Sequence, residues 1–168
     1  MNCPYIIRNA GMEDLPQIVD IYNSTIAGRM VTADIEPVTV ESRVDWLQAH
    51  NSDSRPLWVM MDGEQIIAWL SFQDFYGRPA YQATAEISIY IEPNYRHKGI
   101  GTAFLEEAIQ AAPGLGIKTI LGFIFAQNQP SIRLFKKYGF EEWAHLPKIA
   151  ELDQIECDLM ILGKRVSS

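Results

Sequence analysis

The sequence predicts an α/β protein with one mixed β-sheet and helices on both of its faces. Three observations support this fold class. Seven segments have strand signals and four have helix signals. The two kinds alternate in the order β-α-α-β-β-β-α-β-α-β-β, and no repeat or low-complexity linker interrupts them. The chain has 168 residues, 48% of them hydrophobic, so we expect residues 1–168 to form a single domain.

The N-terminal elements are predicted to be a strand and two helices. A short strand at 5–7 precedes a helix from about Glu13 to Ile26. Pro16 falls in the first turn of this helix, where a missing N–H does no harm. A second helix begins with Thr39 as its N-cap. Apolar residues at helical spacing define the buried faces of the two helices: Leu15, Ile18, Val19 and Tyr22 in the first, and Val40, Val44 and Leu47 in the second.

Three central strands follow. Segments 56–61 and 64–72 flank Asp62-Gly63, a dipeptide typical of a two-residue hairpin turn. A loop at 73–82 leads to a strand at 83–91, in which polar and apolar residues alternate, so its two faces differ. The apolar positions are Ala85, Ile87, Ile89 and Ile91, and the polar ones are Glu86, Ser88 and Tyr90.

The C-terminal half predicts two helices and three strands. One helix runs from about Gly101 to Ala112 and ends at Pro113-Gly114. Segment 119–126 is almost entirely apolar, as in a strand that is buried on both faces. A short helix within 128–140 ends at Gly139 in the left-handed conformation. Two further strands are expected near 140–146 and 154–162.

Composition excludes several functional classes. The net charge of −7 argues against a general nucleic-acid-binding protein. Cys3 and Cys157 lie near opposite ends, and the three histidines are scattered, so no disulfide framework or metal site is expected. No apolar run approaches the roughly 20 residues that a membrane span needs, and the N-terminus does not resemble a signal peptide. We therefore expect a cytoplasmic protein with no membrane partner.

A basic, glycine-containing loop lies before the third helix, in the stretch "EPNYRHKGIGTAF" at 92–104. The first turn of a helix has free N–H groups that bind anions, and Gly99 and Gly101 allow a phosphate to approach the backbone. The loop therefore predicts a phosphate or pyrophosphate site. No P-loop string is present. A dinucleotide fold is disfavoured because Phe104 replaces the third small residue and no acidic residue lies between Ala108 and Phe140. The alternative, that the glycines only serve turn geometry, stays open.

Two motifs in this order resemble a known family. "RHKGIG" at 96–101 resembles the pyrophosphate loop of the GNAT superfamily of N-acetyltransferases, and "AQNQPSIRLFKKYGF" at 126–140 is similar to its later motif, an Asn followed by a short helix that ends in Gly-Phe. Three longer segments, 7–26, 78–101 and 128–140, resemble the branch that acetylates phosphinothricin and methionine sulfone or sulfoximine. The resemblance covers about Ile6 to Lys164.

The resemblance implies the GNAT fold, in which two central strands splay apart, and acetyl-CoA as the cofactor. Backbone groups of the strand before the loop would pair with the pantetheine arm, and backbone N–H groups of the loop would bind the pyrophosphate. Positions that match the family's cofactor contacts are Ile89, Tyr90, Ile91, Arg96, His97, Lys98, Gly99, Ile100, Gly101, Thr102, Asn128 and Ser131.

Glu86 matches the general base of the family, which would remove a proton from the acceptor amine through a water molecule. Without the resemblance, a solvent-facing Glu on an alternating strand is the commoner interpretation. Two residues depart from the branch. Phe135 stands where a proton-donating Tyr or His is usual, and Ile87 replaces a His after the glutamate.

The acceptor site implied by the resemblance combines the loop before the Glu86 strand with the strand itself. Its residues would be Tyr76, Gly77, Arg78, Glu86, Ile87 and Ser88. Arg78 could pair with an amino-acid carboxylate, or it could be an ordinary surface arginine. The expected function is acetyl transfer to a small amino-acid-like amine by direct attack in a ternary complex, in a homodimer. Acetylation of protein N-termini or polyamines, or a non-catalytic acyl-CoA-binding regulator, remain alternatives.

Overall fold

The computed structural model describes residues 4–167, and within them a seven-stranded sheet packs against four α-helices. Cys3, which was expected to form no disulfide, lies outside the described residues. The strands are β1 Ile6–Asn9, β2 Leu57–Asp62, β3 Gln65–Asp74, β4 Thr84–Ile91, β5 Thr119–Phe125, β6 Glu141–Leu152 and β7 Ile155–Arg165. The helices are α1 Leu15–Ser24, α2 Val44–Gln48, α3 Ile100–Ala111 and α4 Gln129–Lys137. The predicted class and element order are confirmed.

Strand order across the sheet is β1-β2-β3-β4-β5-β7-β6. Among the pairs of the described sheet, β4 and β5 alone run parallel, so the sheet is mixed. Helix α1 packs on one face, where Ile18 and Ile21 meet Val59 and Trp69. The core on the other face brings α3 and α4 against strand residues such as Leu70. This arrangement leaves β4 covered on both faces, at the centre of the molecule.

Several helices and strands begin or end at residues other than those predicted. The first helix starts as a 3-10 turn at Met12–Asp14, where the Asp14 carboxylate accepts from the Gly11 N–H at 2.8 Å. In the hairpin, Asp62 pairs with Gln65, so Gly63 and its successor form the turn one residue later than expected. The left-handed stop after α3 is Gly116, because 112–115 continue as a 3-10 turn.

Strands β6 and β7 are longer than the sequence indicated. Register shifts between Glu142 and Ala144 and between Leu146 and Ala150 interrupt the pairing of the two strands. Each shift breaks the two-residue alternation by which a strand is recognised, so the continuation to Leu152 was not visible in the sequence.

Strands β4 and β5 separate part-way along their length. Their pairing covers Thr84–Glu86 on β4 and Thr119–Leu121 on β5, and the following residues of the two strands are not paired with each other. The splayed central strands expected of this fold are therefore present. The backbone groups exposed in the gap are available to a ligand that enters it.

Gly122 on β5 lies at the start of this gap and makes room for an aromatic ring. A Cβ atom at position 122 would lie 2.7 Å from Cε2 of Phe135, which is closer than real contacts allow. The Phe135 ring is buried and packs edge-to-face against Phe140 at 4.9 Å between ring centres. Position 122 therefore needs glycine because α4 presses an aromatic side chain onto the sheet.

We expect Gly122→Ala to lower the free energy of unfolding by about 1–3 kcal/mol, because the added methyl group overpacks against the ring. Urea denaturation measures the change. In the Phe135→Leu background, which removes the ring, the same substitution should cost less. The control is Gly114→Ala, where a new Cβ meets open space, with an expected change within about 0.5 kcal/mol. An equal cost of Gly122→Ala in both backgrounds would contradict this explanation.

Candidate active site

Glu86 opens into a cavity of about 220 Å³ between the sheet and the α1–α2 side, called here the Glu86 cavity. Two charged side chains, Arg43 and Glu86, line it. The other lining residues are Ile18, Val19, Tyr22, Val38, Trp46, Trp69, Ser71, Gln73, Ser88 and Tyr90. The strand residues among them follow the pleat, since Gln73 pairs with Glu86 and Ser71 with Ser88 across β3 and β4.

The environment of Glu86 suits a base. The carboxyl group is partly buried and forms no hydrogen bond or ion pair with any residue that the structure describes. Burial disfavours the charged form and raises the pKa of the Glu86 carboxyl above its ordinary value. A carboxylate with a raised pKa holds a removed proton more firmly, which is the property that general-base catalysis requires near neutral pH.

Two polar side chains have fixed orientations here: His50, which contacts the lining residues Trp46 and Ser71 from outside the cavity, and Tyr90, which lines it. The His50 Nδ1 lies 2.9 Å from the Trp46 carbonyl oxygen, so Nδ1 carries the proton and Nε2 accepts from the Ser71 hydroxyl at 2.7 Å. Burial lowers the pKa of His50, in keeping with a neutral ring. Tyr90 stacks on Trp69 at 4.5 Å, and burial raises the pKa of its phenol, so the hydroxyl stays protonated.

A second cavity, of about 120 Å³, occupies the gap between the splayed strands and is called here the inter-strand cavity. Residues 87–91 of β4 form one wall and residues 122–124 of β5 the other. The rest of the lining comes from the loop after α1 and from α3 and α4: Met30, Val31, Gly101, Asn128, Ser131, Leu134 and Phe135. Ser88 and Tyr90 line both cavities, so the two meet at β4.

The basic loop reaches the inter-strand cavity at Gly101, which lines it. His97 and Gly99 have positive φ angles of 63° and 78°, and α3 begins at Ile100. Among the described residues, none accepts a hydrogen bond from the backbone N–H groups of 97–102. A Cβ at Gly101 would lie 3.0 Å from Leu134 Cδ2, so glycine keeps this approach open. Free N–H groups at a helix start beside basic side chains fit a pyrophosphate.

Comparison with known proteins identifies the family. The model of the acetyltransferase (GNAT) family matches residues 18–140. The chain belongs to this family. Membership confirms the predicted enzyme class, an N-acetyltransferase, and acetyl-CoA, the acetyl donor of that family, as the cofactor.

Individual relatives agree with this assignment. The chain is 53% identical over 162 residues, 96% of its length, to a Bacillus subtilis protein named "Putative phosphinothricin acetyltransferase YwnH", covering 99% of it. It is 29% identical over 146 residues to an L-methionine sulfoximine/L-methionine sulfone acetyltransferase of Pseudomonas paraeruginosa, covering 86% and 85% of the two chains. A Salmonella typhimurium protein solved with its cofactor acetyl-CoA is 25% identical, with a TM-score of 0.91 and coverage of 99% and 96%.

Several predicted site residues of this acetyltransferase line a cavity. Glu86 and Ser88 line the Glu86 cavity, and Ser88 with Ile89–Ile91, Gly101, Asn128 and Ser131 lines the inter-strand cavity. Asn128 also caps α4, since its side chain accepts from the Ser131 N–H at 3.4 Å. Arg96, His97, Lys98, Gly99, Ile100 and Thr102 lie around the start of α3, next to that cavity.

The other predicted acceptor residues do not line the Glu86 cavity. The side chain of Ile87 is buried and belongs to the core on the α3 side, because alternate residues of β4 point to opposite faces. Gly77 and Arg78 line a separate surface cavity at the 75–83 loop, and the Tyr76 side chain is 78% exposed. Within the described chain, neither cavity at β4 contains residues 76–78.

The Glu86 cavity also contains residues that sequence analysis missed. Tyr22 was expected only as part of a buried stripe, and Trp46 and Arg43 had no motif to mark them. Arg43 ends a 3-10 turn, Glu41–Arg43, that precedes α2, and the long chain before this turn crosses the Glu86 cavity at Val38. No local pattern reports such contacts, since they form between segments that are distant in sequence.

Two features are absent from residues 4–167. No helix there is long and apolar enough to cross a membrane. No group of three or more His, Cys, Asp or Glu residues in that range could hold a metal ion.

The raised pKa of Glu86 predicts the pH dependence of acetyl transfer. A general base works when ionised, so we expect kcat/KM for the amine to rise with pH as Glu86 loses its proton, at a pH above that of an ordinary carboxyl group. Initial rates of coenzyme A release between pH 4 and pH 8, roughly the window in which such a group titrates, measure the profile.

We expect Glu86→Gln to lower kcat/KM by roughly 10²- to 10⁴-fold and to remove this acidic limb. The matched control is Glu64→Gln, in the exposed hairpin turn, which should keep both the rate and the limb. Persistence of the limb in Glu86→Gln would show that another group titrates.

Proposed function

We propose that this acetyltransferase transfers acetyl from acetyl-CoA to the amino group of a small amino-acid-like substrate of the phosphinothricin or methionine sulfone/sulfoximine type, by direct attack in a ternary complex. The observation that supports it most is the meeting of two cavities at β4. The inter-strand cavity would hold the cofactor and the Glu86 cavity the acceptor amine, with Ser88 and Tyr90 at their junction.

On the cofactor side, we assign contacts to the chain's own groups. Backbone N–H groups at His97–Thr102, with Arg96 at the rim, would bind the pyrophosphate, and unpaired backbone groups of Ile89–Ile91 would pair with the amide arm. Asn128 and Ser131 would border the arm from α4. Bound acetyl-CoA supplies a thioester carbonyl that an amine can attack, with a thiolate as leaving group.

On the acceptor side, Glu86 would take a proton from the amine, directly or through water. Direct attack is favoured over a covalent acetyl-enzyme because the lining of the two cavities contains no cysteine. The Ser88 hydroxyl at their junction has no histidine partner within residues 4–167. A serine without a base to activate it is a weak nucleophile.

The charges of the Glu86 cavity favour an amino acid over a polyamine. One carboxylate and one arginine line it, whereas a polycation would need several acidic groups and no facing cation. The volume of about 220 Å³ suits a small molecule. The roles of Tyr76, Gly77, Arg78 and Ile87 in acceptor binding stay predictions, as do the single domain, the homodimer, the cytoplasmic location and the absence of nucleic-acid and membrane partners.

An amine panel tests the acceptor class. We expect coenzyme A release with phosphinothricin, methionine sulfone or methionine sulfoximine at a kcat/KM at least about 10-fold above that for spermidine or a short peptide with a free N-terminus, because their charges match the cavity. Initial rates over a grid of both substrates should give intersecting lines in double-reciprocal plots. Parallel lines would indicate a covalent intermediate, and a preference for spermidine would contradict the proposal.

Phe135 leads to a second expected outcome. Tyr90 is the one titratable side chain in the described lining of the inter-strand cavity, and its raised pKa makes it a poor proton donor. Phe135→Tyr adds a phenol hydroxyl to that lining, at the position where the branch usually has a proton-donating Tyr or His. We expect kcat to rise by about 10-fold, within the usual range of general-acid catalysis, with little change in KM for acetyl-CoA.

Steady-state kinetics of Phe135→Tyr with saturating amine measure this effect. Phe135→Leu is the control, since it changes the packing without adding a proton donor, and its kcat should not rise. An unchanged kcat in Phe135→Tyr would show that protonation of the leaving group does not limit turnover.

A further inference from the structure

Arg43 is the one cation that lines the Glu86 cavity in the described chain. Its guanidinium carbon lies 5.1 Å from the centre of the Tyr22 ring, and its Nη2 donates to Asp34 Oδ2 at 3.2 Å. The Arg43 side chain is 30% exposed, so it is neither buried in the core nor free in solvent. Arg43 therefore has a defined position on the cavity wall.

The partners of Arg43 hold it without using all its donors. Asp34 also accepts from the Tyr22 hydroxyl, which lies 2.5 Å from the Thr32 hydroxyl, so the loop after α1 is tied to the helix. A guanidinium has five N–H donors, and within residues 4–167 the Asp34 contact uses one of them. The remaining donors can bind a second anion in the two-pronged geometry that arginine favours.

We infer that Arg43 recognises an anionic group of the acceptor, so that the preferred substrates are amines that also carry an acid group. Rotation of a zwitterion in the cavity is disfavoured when Glu86 attracts the ammonium group and Arg43 the anion. The inference rests on the proposed function in one respect, since it takes the Glu86 cavity as the acceptor site. The anion has two sources, the α-carboxylate or an acidic tail such as a phosphinate.

Three acceptors distinguish the sources: phosphinothricin, methionine sulfone, and the carboxamide of methionine sulfone, which lacks the carboxylate charge. Equilibrium binding by calorimetry, with coenzyme A present, and kcat/KM are measured for each. If Arg43 binds the carboxylate, Arg43→Gln lowers affinity and kcat/KM for phosphinothricin and methionine sulfone by about 10- to 100-fold. The same quantities for the carboxamide fall by less than about 3-fold. If Arg43 binds an acidic tail, Arg43→Gln lowers affinity and kcat/KM only for phosphinothricin.

Matched variants separate recognition from structure. Arg43→Lys keeps the charge but loses the planar fork of the guanidinium. Its affinity and kcat/KM for the acidic acceptors should lie between those of wild type and Arg43→Gln. Arg133→Gln, which removes an exposed arginine of α4, should change none of the constants. Coenzyme A affinity and Tm should stay close to wild type in both Arg43 variants.

The inference is overturned if Arg43→Gln lowers affinity and kcat/KM equally for all three acceptors, or lowers them for none. So does an anion-selective loss in Arg78→Gln without one in Arg43→Gln. If the wild-type protein acetylates the carboxamide as efficiently as both phosphinothricin and methionine sulfone, the role of Arg43 is contradicted and the transferase function is left intact. Wild-type protein that acetylates none of the three overturns the proposed acceptor class together with the inference.

Discussion

The limited pairing of β4 with β5 is the constraint on which the site depends. Three residue pairs hold the strands together up to Glu86, and beyond that point their backbone groups face a cavity instead of each other. An unpaired strand edge inside a protein is costly unless water or a ligand satisfies it. Phe135 packs from α4 against Gly122 on the β5 side of the gap, and Trp69 stacks on Tyr90 across β3 and β4, which ties β4 to β3. If β4 and β5 paired along their whole length, the sheet would gain backbone hydrogen bonds but would have no gap for a cofactor.

The pleat of β4 then divides the chemistry between the two faces. Glu86 and Ser88 point to the α1–α2 side, while Ile87 and its odd-numbered neighbours point to α3 and α4. A one-residue slip of the β3–β4 register would move the Glu86 carboxyl group to the apolar face, so the contacts that fix this register also fix the position of Glu86. The buried aromatic contacts around Trp69, whose Nε1 donates to the Ile18 carbonyl oxygen at 3.0 Å, oppose such a slip. Fold stability and catalytic geometry therefore share the same contacts.

Much of the fold could be predicted because its signals are local. The hairpin dipeptide, the apolar run of β5 and the glycine stop after α4 each act over a few residues, and their order was enough to indicate the sheet. The misplaced ends have local causes as well. The turn at Asp62 shifted by one residue, and bulges in β6 hid its alternation. The surroundings of the inter-strand cavity were equally predictable from the sequence, since the basic loop and Asn128 lie in contiguous motifs. The free N–H groups of the basic loop belong to the backbone, and backbone geometry is what short glycine and helix-cap motifs encode.

The Glu86 cavity was less predictable because its wall joins segments that are distant in sequence, including the irregular chain between α1 and α2. Residues between α1 and α2 cross both cavities, with Met30 and Val31 over one and Val38 at the other. Asn23 holds this segment through paired hydrogen bonds with the Val38 backbone at 3.0 and 2.9 Å, and such contacts between a helix and a distant loop leave no periodic trace. The sheet can therefore keep the base and the cofactor gap while the crossing segment changes its side chains. Acceptor selectivity can then vary at little cost to the fold, because the residues that would set it contribute few of the core contacts.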